Sequence, residues 1–345
     1  MAAGQRGETG PVRICIVGAG AIGGFMAARL ADAGADVGVV VRGAHLAAVR
    51  SDGMRLVAED GTETVRRLAA SDRLADLGPQ DAIVLGMKAH QVAAVADDVA
   101  AALGPQTVVV TTQNGIPWWY FFRHGGPYEG RCLESVDPGG RIAARIPAER
   151  VIGGIVYPAC EVVAPGVIRH IEGNRFPLGE PDGTDTPRVR ALADLFRAAG
   201  FRTPVLDDIR SEIWLKLWGN LSFNPISALT HATLAEICRH PPTRALAAAM
   251  MAEAQAIGEK LGVRFKVSLG KRIAGAEAVG EHKTSMLQDV ESGRALELQA
   301  LVGSVIELGR ITGLPTPAIE HVHALASLLA ATLERRRGRL RVEPA

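Results

Sequence analysis

Val12-Arg13-Ile14-Cys15-Ile16-Val17-Gly18-Ala19-Gly20-Ala21-Ile22-Gly23 is the stretch that decides the fold. Val12 to Val17 is an apolar run of the length of a buried parallel strand. The glycine-punctuated turn Gly18-Ala19-Gly20-Ala21-Ile22-Gly23 follows at once, and helical periodicity then runs from Ile22 to about Ala33. Strand, tight turn and helix in this order suit a dinucleotide pyrophosphate. Gly18 allows the turn, Gly20 lets the backbone approach the phosphates, and Gly23 lets the helix pack close to the strand. The anion then meets free N–H groups at a helix N-terminus. A cluster of glycines serving helix packing alone is the competing reading.

The next strand bears on which dinucleotide is bound. It spans Asp36 to Val41 and ends in Arg42 rather than in an acidic residue. A carboxylate there would accept from the ribose hydroxyls of NAD, whereas a guanidinium offers a charged fork to the 2′-phosphate of NADP. A solvated surface arginine is the alternative. His45 reads as an exposed loop residue, with a helper role at the phosphate as the less favoured reading.

The chain has 345 residues, enough for two domains with their own cores. Lys and Arg number 38 against 37 Asp and Glu, so the net charge of +1 gives no electrostatic case for nucleic acid or a membrane surface. No apolar run reaches the ~18 residues of a membrane span. Residues 1–11 lack the apolar stretch of a secretory signal and read as a disordered extension. Residues 336–345 read as a basic, solvated tail. The cysteines at 15, 132, 160 and 238 form no CxxC pair and read as reduced packing residues of a cytoplasmic protein. His321 and His323 fall on different helix faces, a poor metal-ligand spacing, and no metal is expected.

Strands alternate with helices through the first half, as in a doubly wound sheet. Asp81 to Met87 is a strand ending at Lys88, and Thr107 to Thr112 is another, ending at Gln113-Asn114-Gly115. Val151 to Tyr157, Val167 to Ile171 and Arg175 to Leu178 are short and predict an antiparallel extension. Gly18, Arg42, Lys88 and Asn114 all fall at carboxyl ends of strands, the ligand edge of an open α/β sheet. After about Asp207 strands give way to amphipathic segments over 210–229, 243–261, 285–292, 296–312 and 317–335. The expected architecture is therefore a Rossmann-type α/β domain over 12–207 and an all-helical domain over 208–335, with substrate in a cleft between them.

Two segments of the second half carry candidate chemistry. Lys216, Asn220 and Asn224 are spaced four apart and share one helical face, while Trp214, Leu215, Leu217, Trp218 and Phe223 cover the others. A lysine and two amides on a largely buried helix need partners or a ligand, unless that stripe faces solvent. A desolvated lysine loses its proton readily and can act as a general acid near neutral pH. In the second segment, Ser285 follows Lys283-Thr284 near a helix start, where an N-cap is an equally good reading. Glu297 opens the next helix, a position the macrodipole favours for any carboxylate.

Taken together, these elements resemble the ketopantoate reductase (2-dehydropantoate 2-reductase) family over roughly residues 12–335. The resemblance rests on the glycine motif, Lys88-Ala89-His90-Gln91, Gln113-Asn114-Gly115, the Lys216/Asn220/Asn224-Pro225 helix, and Lys283 to Asp289 followed by Glu297. It implies NADPH-dependent reduction of the 2-keto group of 2-dehydropantoate, a step toward pantothenate and coenzyme A. It implies Lys216 as proton donor and Glu297 as its catalytic partner in a central network. Asn220 and Asn224 would hold the substrate hydroxyl end and Ser285 its carboxylate. Gly18 to Gly23, Arg42, Lys88, Gln91 and Asn114 would contact the cofactor, with Asn114 beside the nicotinamide.

The chain also departs from the family pattern. Gln299 and Val302 stand where many members carry Asp and Asn, and Leu234 lies where another substrate-side Asn is expected. The segment Trp118 to Phe122 is unusually aromatic. These changes leave the reduction chemistry intact and leave open which small 2-oxo acid is reduced. A non-catalytic NADP-binding regulator is the rival of another class, and Lys216, Ser285 and Glu297 speak against it. The apolar C-terminal helices would suit a homodimer and would equally suit a core.

Overall fold

The computed structural model describes residues 10–336. Most of the N-terminal extension and the basic tail beyond Arg336 lie outside the described residues. Two compact units emerge. One comprises residues up to Gln113, Phe121–Arg131 and Arg141–Ile209; the other comprises Asn114–Tyr120, Cys132–Gly140 and the chain from Arg210 onward.

The first unit is built, in chain order, from β1 (Arg13–Val17), α1 (Ala21–Asp32), β2 (Asp36–Val40), α2 (Gly43–Asp52), β3 (Met54–Val57), β4 (Glu63–Arg66), β5 (Ala69–Ser71), β6 (Ala82–Leu85), α3 (Ala96–Ala102), β7 (Val108–Thr111), β8 (Val151–Gly154), β9 (Ala159–Ala164), β10 (Val167–Glu172), β11 (Leu178–Gly179) and α4 (Pro187–Ala198). Its main sheet runs β11-β8-β7-β6-β1-β2-β5. Every pairing is parallel except that of β11 with β8. The strand order reverses between β1 and β6, the switch point at which doubly wound sheets bind ligands. A second sheet, β4-β3-β10-β9, is mixed.

Two features of this topology differ from the sequence reading. Val151–Gly154 was expected in an antiparallel extension but pairs in parallel with β7 inside the main sheet, and only β11 runs antiparallel there. The antiparallel pairing expected of residues 167–171 and 175–178 is found, β10 pairing with β9 and β11 with β8, and the partly exposed β3–β4 hairpin adds an antiparallel pair that the sequence reading lacks. The strands β3, β4 and β9 alternate too weakly in hydrophobicity to declare themselves.

Helix α1 lies between the two sheets, and adjacent glycines make that possible. A Cβ on Gly23 would overlap the Gly18 carbonyl oxygen, and one on Gly24 would stand 2.7 Å from Ile168 Cγ1 of β10. Small side chains on α1 therefore let it approach both layers. Phe25, Met26 and Leu30 are buried in the resulting core with Ile14, Ile16, Met54 and Ile168.

The second unit holds α5 (Ile209–Thr230), which begins on the last residue of the first unit, then α6 (Leu234–Arg239), α7 (Pro241–Lys260), α8 (Leu269–Ala278), α9 (Ser285–Glu291), α10 (Ser304–Thr312) and α11 (Pro317–Arg335). No strand occurs after Gly179 among the described residues. A π-helical turn, Gln299–Gly303, leads into α10. Helix α5 is anchored by its tryptophans. Trp218 Nε1 donates to Met251 O at 2.6 Å, and Trp214 Nε1 donates to the Tyr120 hydroxyl at 2.7 Å. The aromatic segment is thereby explained: Trp118, Trp119, Tyr120 and Phe121 are buried core residues.

Candidate active site

In the α/β unit, the carboxyl ends of β1, β2 and β6 carry the residues singled out for a cofactor. Gly18 has φ +90°, and a Cβ there would lie 2.9 Å from the backbone nitrogen and the Cβ of Met87. The turn after β1 thus touches the segment after β6 directly. Gly86 N donates to Val17 O at 2.8 Å across the same junction. At Gly20, by contrast, no atom lies within 4 Å of where a Cβ would stand. Ala21 and Ile22 begin α1, whose cap at Gly20 supplies no side-chain hydrogen bond and whose first turn holds no acidic residue. A closed turn, open space over Gly20 and an uncapped, uncharged helix start are the features a pyrophosphate requires, so the residues fit the group. Arg42 is exposed where β2 gives way to α2.

His45 corrects the sequence reading. It lies in the first turn of α2 rather than in an exposed loop, and it is partly buried. Its Nδ1 accepts from Gly166 N–H at 3.0 Å, so Nε2 carries the proton and donates to Ala19 O at 3.0 Å. Burial lowers its pKa, which keeps the ring neutral, while the bond to Ala19 opposes that shift. The ring supports the glycine turn from behind.

Lys88 and Gln91 sit on a short 3-10 turn after β6, where Gln91 Oε1 accepts the Lys88 backbone N–H at 3.1 Å. Gln113, to which the sequence assigns no role, is fixed at the end of β7. Its Nε2 donates to Leu85 O at 2.6 Å and to Met87 O at 3.1 Å. It thereby ties β7 to the segment that carries Lys88.

In the helical unit the structure gathers the other candidates. Asn114 lies just past β7 in sequence but clusters with the helices. Its Nδ2 stands 3.5 Å from Glu297 Oε2. Lys216, Asn220 and Asn224 share one face of α5, as their spacing predicts. Lys216 and Asn220 keep partial solvent access, and Asn224 is buried. Asn224 Nδ2 is 3.4 Å from Ser285 Oγ, a long contact that a ligand oxygen could replace.

The N-cap reading of Ser285 is overturned. Thr284 is the cap of α9, its hydroxyl accepting from Leu287 N at 3.3 Å, and Ser285 is the first helical residue, with an exposed side chain. Among the departures from the family pattern, Leu234 opens α6 behind the Thr233–Glu236 capping box. Gln299 and Val302 lie in the π turn.

Two effects act on Lys216 in opposite directions. Desolvation disfavours the ammonium, and the Glu297 carboxylate favours it. Desolvation wins and pushes the pKa down to about 8. A lysine so tuned is protonated at neutral pH and can release its proton to a developing alkoxide. Among the described residues no group of three or more His, Cys, Asp or Glu side chains gathers as a metal site would.

Comparison with known proteins decides the family. The profile "Ketopantoate reductase PanE/ApbA" matches residues 14–183, and "Ketopantoate reductase PanE/ApbA C terminal" matches residues 208–330. This chain belongs to the ketopantoate reductase family. A protein of Mesorhizobium japonicum named 2-dehydropantoate 2-reductase is 58% identical over 320 residues, 92% of this chain and 98% of its own. The structure of a protein described as a ketopantoate reductase from Ralstonia solanacearum MolK2 superposes with a TM-score of 0.89 at 44% identity. It covers 93% of this chain and 98% of its own. The 2-dehydropantoate 2-reductase of Geobacter metallireducens GS-15 gives a TM-score of 0.80 at 27% identity, over 92% of this chain and 99% of its own. Ketopantoate reductases are pyridine-nucleotide-dependent oxidoreductases, and no helix among the described residues is long and apolar enough to cross a membrane.

Proposed function

We propose that this ketopantoate reductase reduces 2-dehydropantoate to pantoate, with NADPH as the reductant and Lys216 as the proton donor. The observation that carries the mechanism is the gathering of Lys216, Asn220 and Asn224 on one face of α5, with Asn224 3.4 Å from Ser285 and with Glu297 acting on the desolvated Lys216 ammonium. Bound NADPH supplies the hydride that reduces the keto carbon. Lys216 stabilises the negative charge growing on the keto oxygen and then transfers its proton to that oxygen. The lysine, left neutral, regains a proton from solvent.

The remaining roles follow from chemistry and placement. Glu297 holds the Lys216 charge against desolvation, and Asn114 orients Glu297 while facing the nicotinamide. Ser285 donates to the substrate carboxylate from the first turn of α9. Asn220 and Asn224 bind the hydroxyl end. On the cofactor side, Gly18 to Gly23 would cradle the pyrophosphate, Arg42 would pair with the 2′-phosphate, and Lys88 and Gln91 would contact the cofactor. Such a reaction, together with cysteines that are all free, suits a cytoplasmic setting.

Steady-state NADPH oxidation with a panel of 2-oxo acids tests this assignment. The expected result is the highest kcat/KM for 2-dehydropantoate. A higher value for another 2-oxo acid would transfer the assignment to that substrate, and no turnover with any of them would remove it.

A further inference from the structure

The π turn at Gln299–Gly303 replaces regular helix two residues after Glu297, beyond Leu298. The Ser304 N–H bonds to Gln299 O, five residues back, rather than to Ala300 O, four back. The Ala300 carbonyl is thereby released from the donor that regular helix would give it. It takes two others, Ser304 Oγ at 2.7 Å and Ile116 N at 3.1 Å. Ser304 is completely buried. Gly115, between Asn114 and Ile116, has φ +91°, and a Cβ on it would overlap the Ala300 carbonyl oxygen.

These contacts have a geometric consequence. Glu297 lies one residue before the helix start, its carbonyl accepting from Leu301 N at 3.3 Å inside the same turn. Asn114 lies one residue before Gly115 and two before Ile116. The backbone of the Asn114 segment is therefore pinned to the turn that carries Glu297, and the 3.5 Å approach of their side chains follows from that pinning. π turns are an energetically poorer way to build a helix and concentrate at functional sites.

We propose that the Ala300 carbonyl is a latch, and that Gly115 and Ser304 are positioning residues for proton donation by Lys216. Neither touches substrate. They act by fixing Asn114 against Glu297, and Glu297 in turn acts on Lys216. This inference rests on the proposed roles of Lys216 and Glu297, so its test must be separable from theirs.

The test compares Ser304→Ala, Ser304→Thr and Gly115→Ala with wild type and with Lys216→Ala. A misplacement of 1 Å can cost ~10²-fold in rate, so loss of one of the latch's two donors in Ser304→Ala should lower kcat by about 10-fold. Gly115→Ala, which pushes the two backbones apart, should approach the full ~10²-fold. KM for 2-dehydropantoate and the Kd for NADPH, measured by fluorescence titration, should stay at wild-type values. The solvent deuterium isotope effect on kcat should rise, because proton transfer becomes more rate-limiting. Ser304→Thr, which keeps the hydroxyl, should recover turnover. Wild-type kcat and isotope effect in Ser304→Ala, accompanied only by a lower Tm, would overturn the latch, as would wild-type kcat in a folded Gly115→Ala. Wild-type kcat in Lys216→Ala would instead overturn the reading on which the latch rests.

Discussion

The side-chain amide of Asn114 lies 3.5 Å from the carboxylate of Glu297 across 183 residues of sequence. Neither residue is compelling alone. Asn114 follows a strand, and Glu297 precedes a helix, where any carboxylate is favoured. Their approach, with the influence of Glu297 on Lys216, turns two separate motifs into one site.

Glu297→Gln tests that coupling through pH. Lys216 must be protonated to donate, so kcat/KM should fall as pH rises through about 8, the value to which desolvation brings its pKa. Glu297 raises that pKa, so neutralising it should move the falling limb to lower pH. The glutamine keeps an oxygen for Asn114, and the variant should fold normally by circular dichroism. A limb at the wild-type position would show that Glu297 does not act on the proton donor.

Cofactor preference should follow Arg42. A charge-assisted contact to the 2′-phosphate is worth roughly 1.5–3 kcal/mol, so kcat/KM should favour NADPH over NADH by about ten-fold or more. Arg42 is exposed, and Arg42→Ala should abolish that preference without loss of stability. Equal wild-type values for the two cofactors would refute the assignment.

Ser285 and its neighbour Thr284 separate binding from folding. Ser285→Ala should raise KM for the oxo acid more than it lowers kcat, because a carboxylate contact is present in ground and transition states alike. Its Tm should not move, since the helix cap is Thr284. Thr284→Ala should instead cost about 1 kcal/mol of stability through loss of the cap. An unchanged KM in Ser285→Ala would remove it from the substrate site.

Local sequence is enough to read the glycine turn, the parallel strands leading to Arg42 and Lys88, and the Lys216/Asn220/Asn224 face. Each is a short-range pattern of period 2 or 3.6 broken by glycine. What local pattern does not carry is pairing. The parallel partner of Val151–Gly154 is β7, some forty residues earlier, and in β4 the apolar Val65 lies on the exposed face while Thr64 and Arg66 lie on the partly covered one. His45 gives no sign in sequence that Gly166 and Ala19 will flank its ring. Thr284 and Ser285 are both good caps by composition, and only the backbone distinguishes them. The π turn is invisible because Gln299–Gly303 has ordinary helical composition, and the Ile116 bond that uses it is long-range.

The central claim, that Lys216 protonates the reduced keto oxygen, is tested most directly by kcat of Lys216→Ala at saturating 2-dehydropantoate and NADPH. General-acid catalysis of this kind contributes about 10²–10⁴-fold, so kcat should fall by that factor. The Kd for NADPH should remain near wild type, and circular dichroism should report an intact fold. A folded Lys216→Ala protein with near-normal kcat would contradict the account.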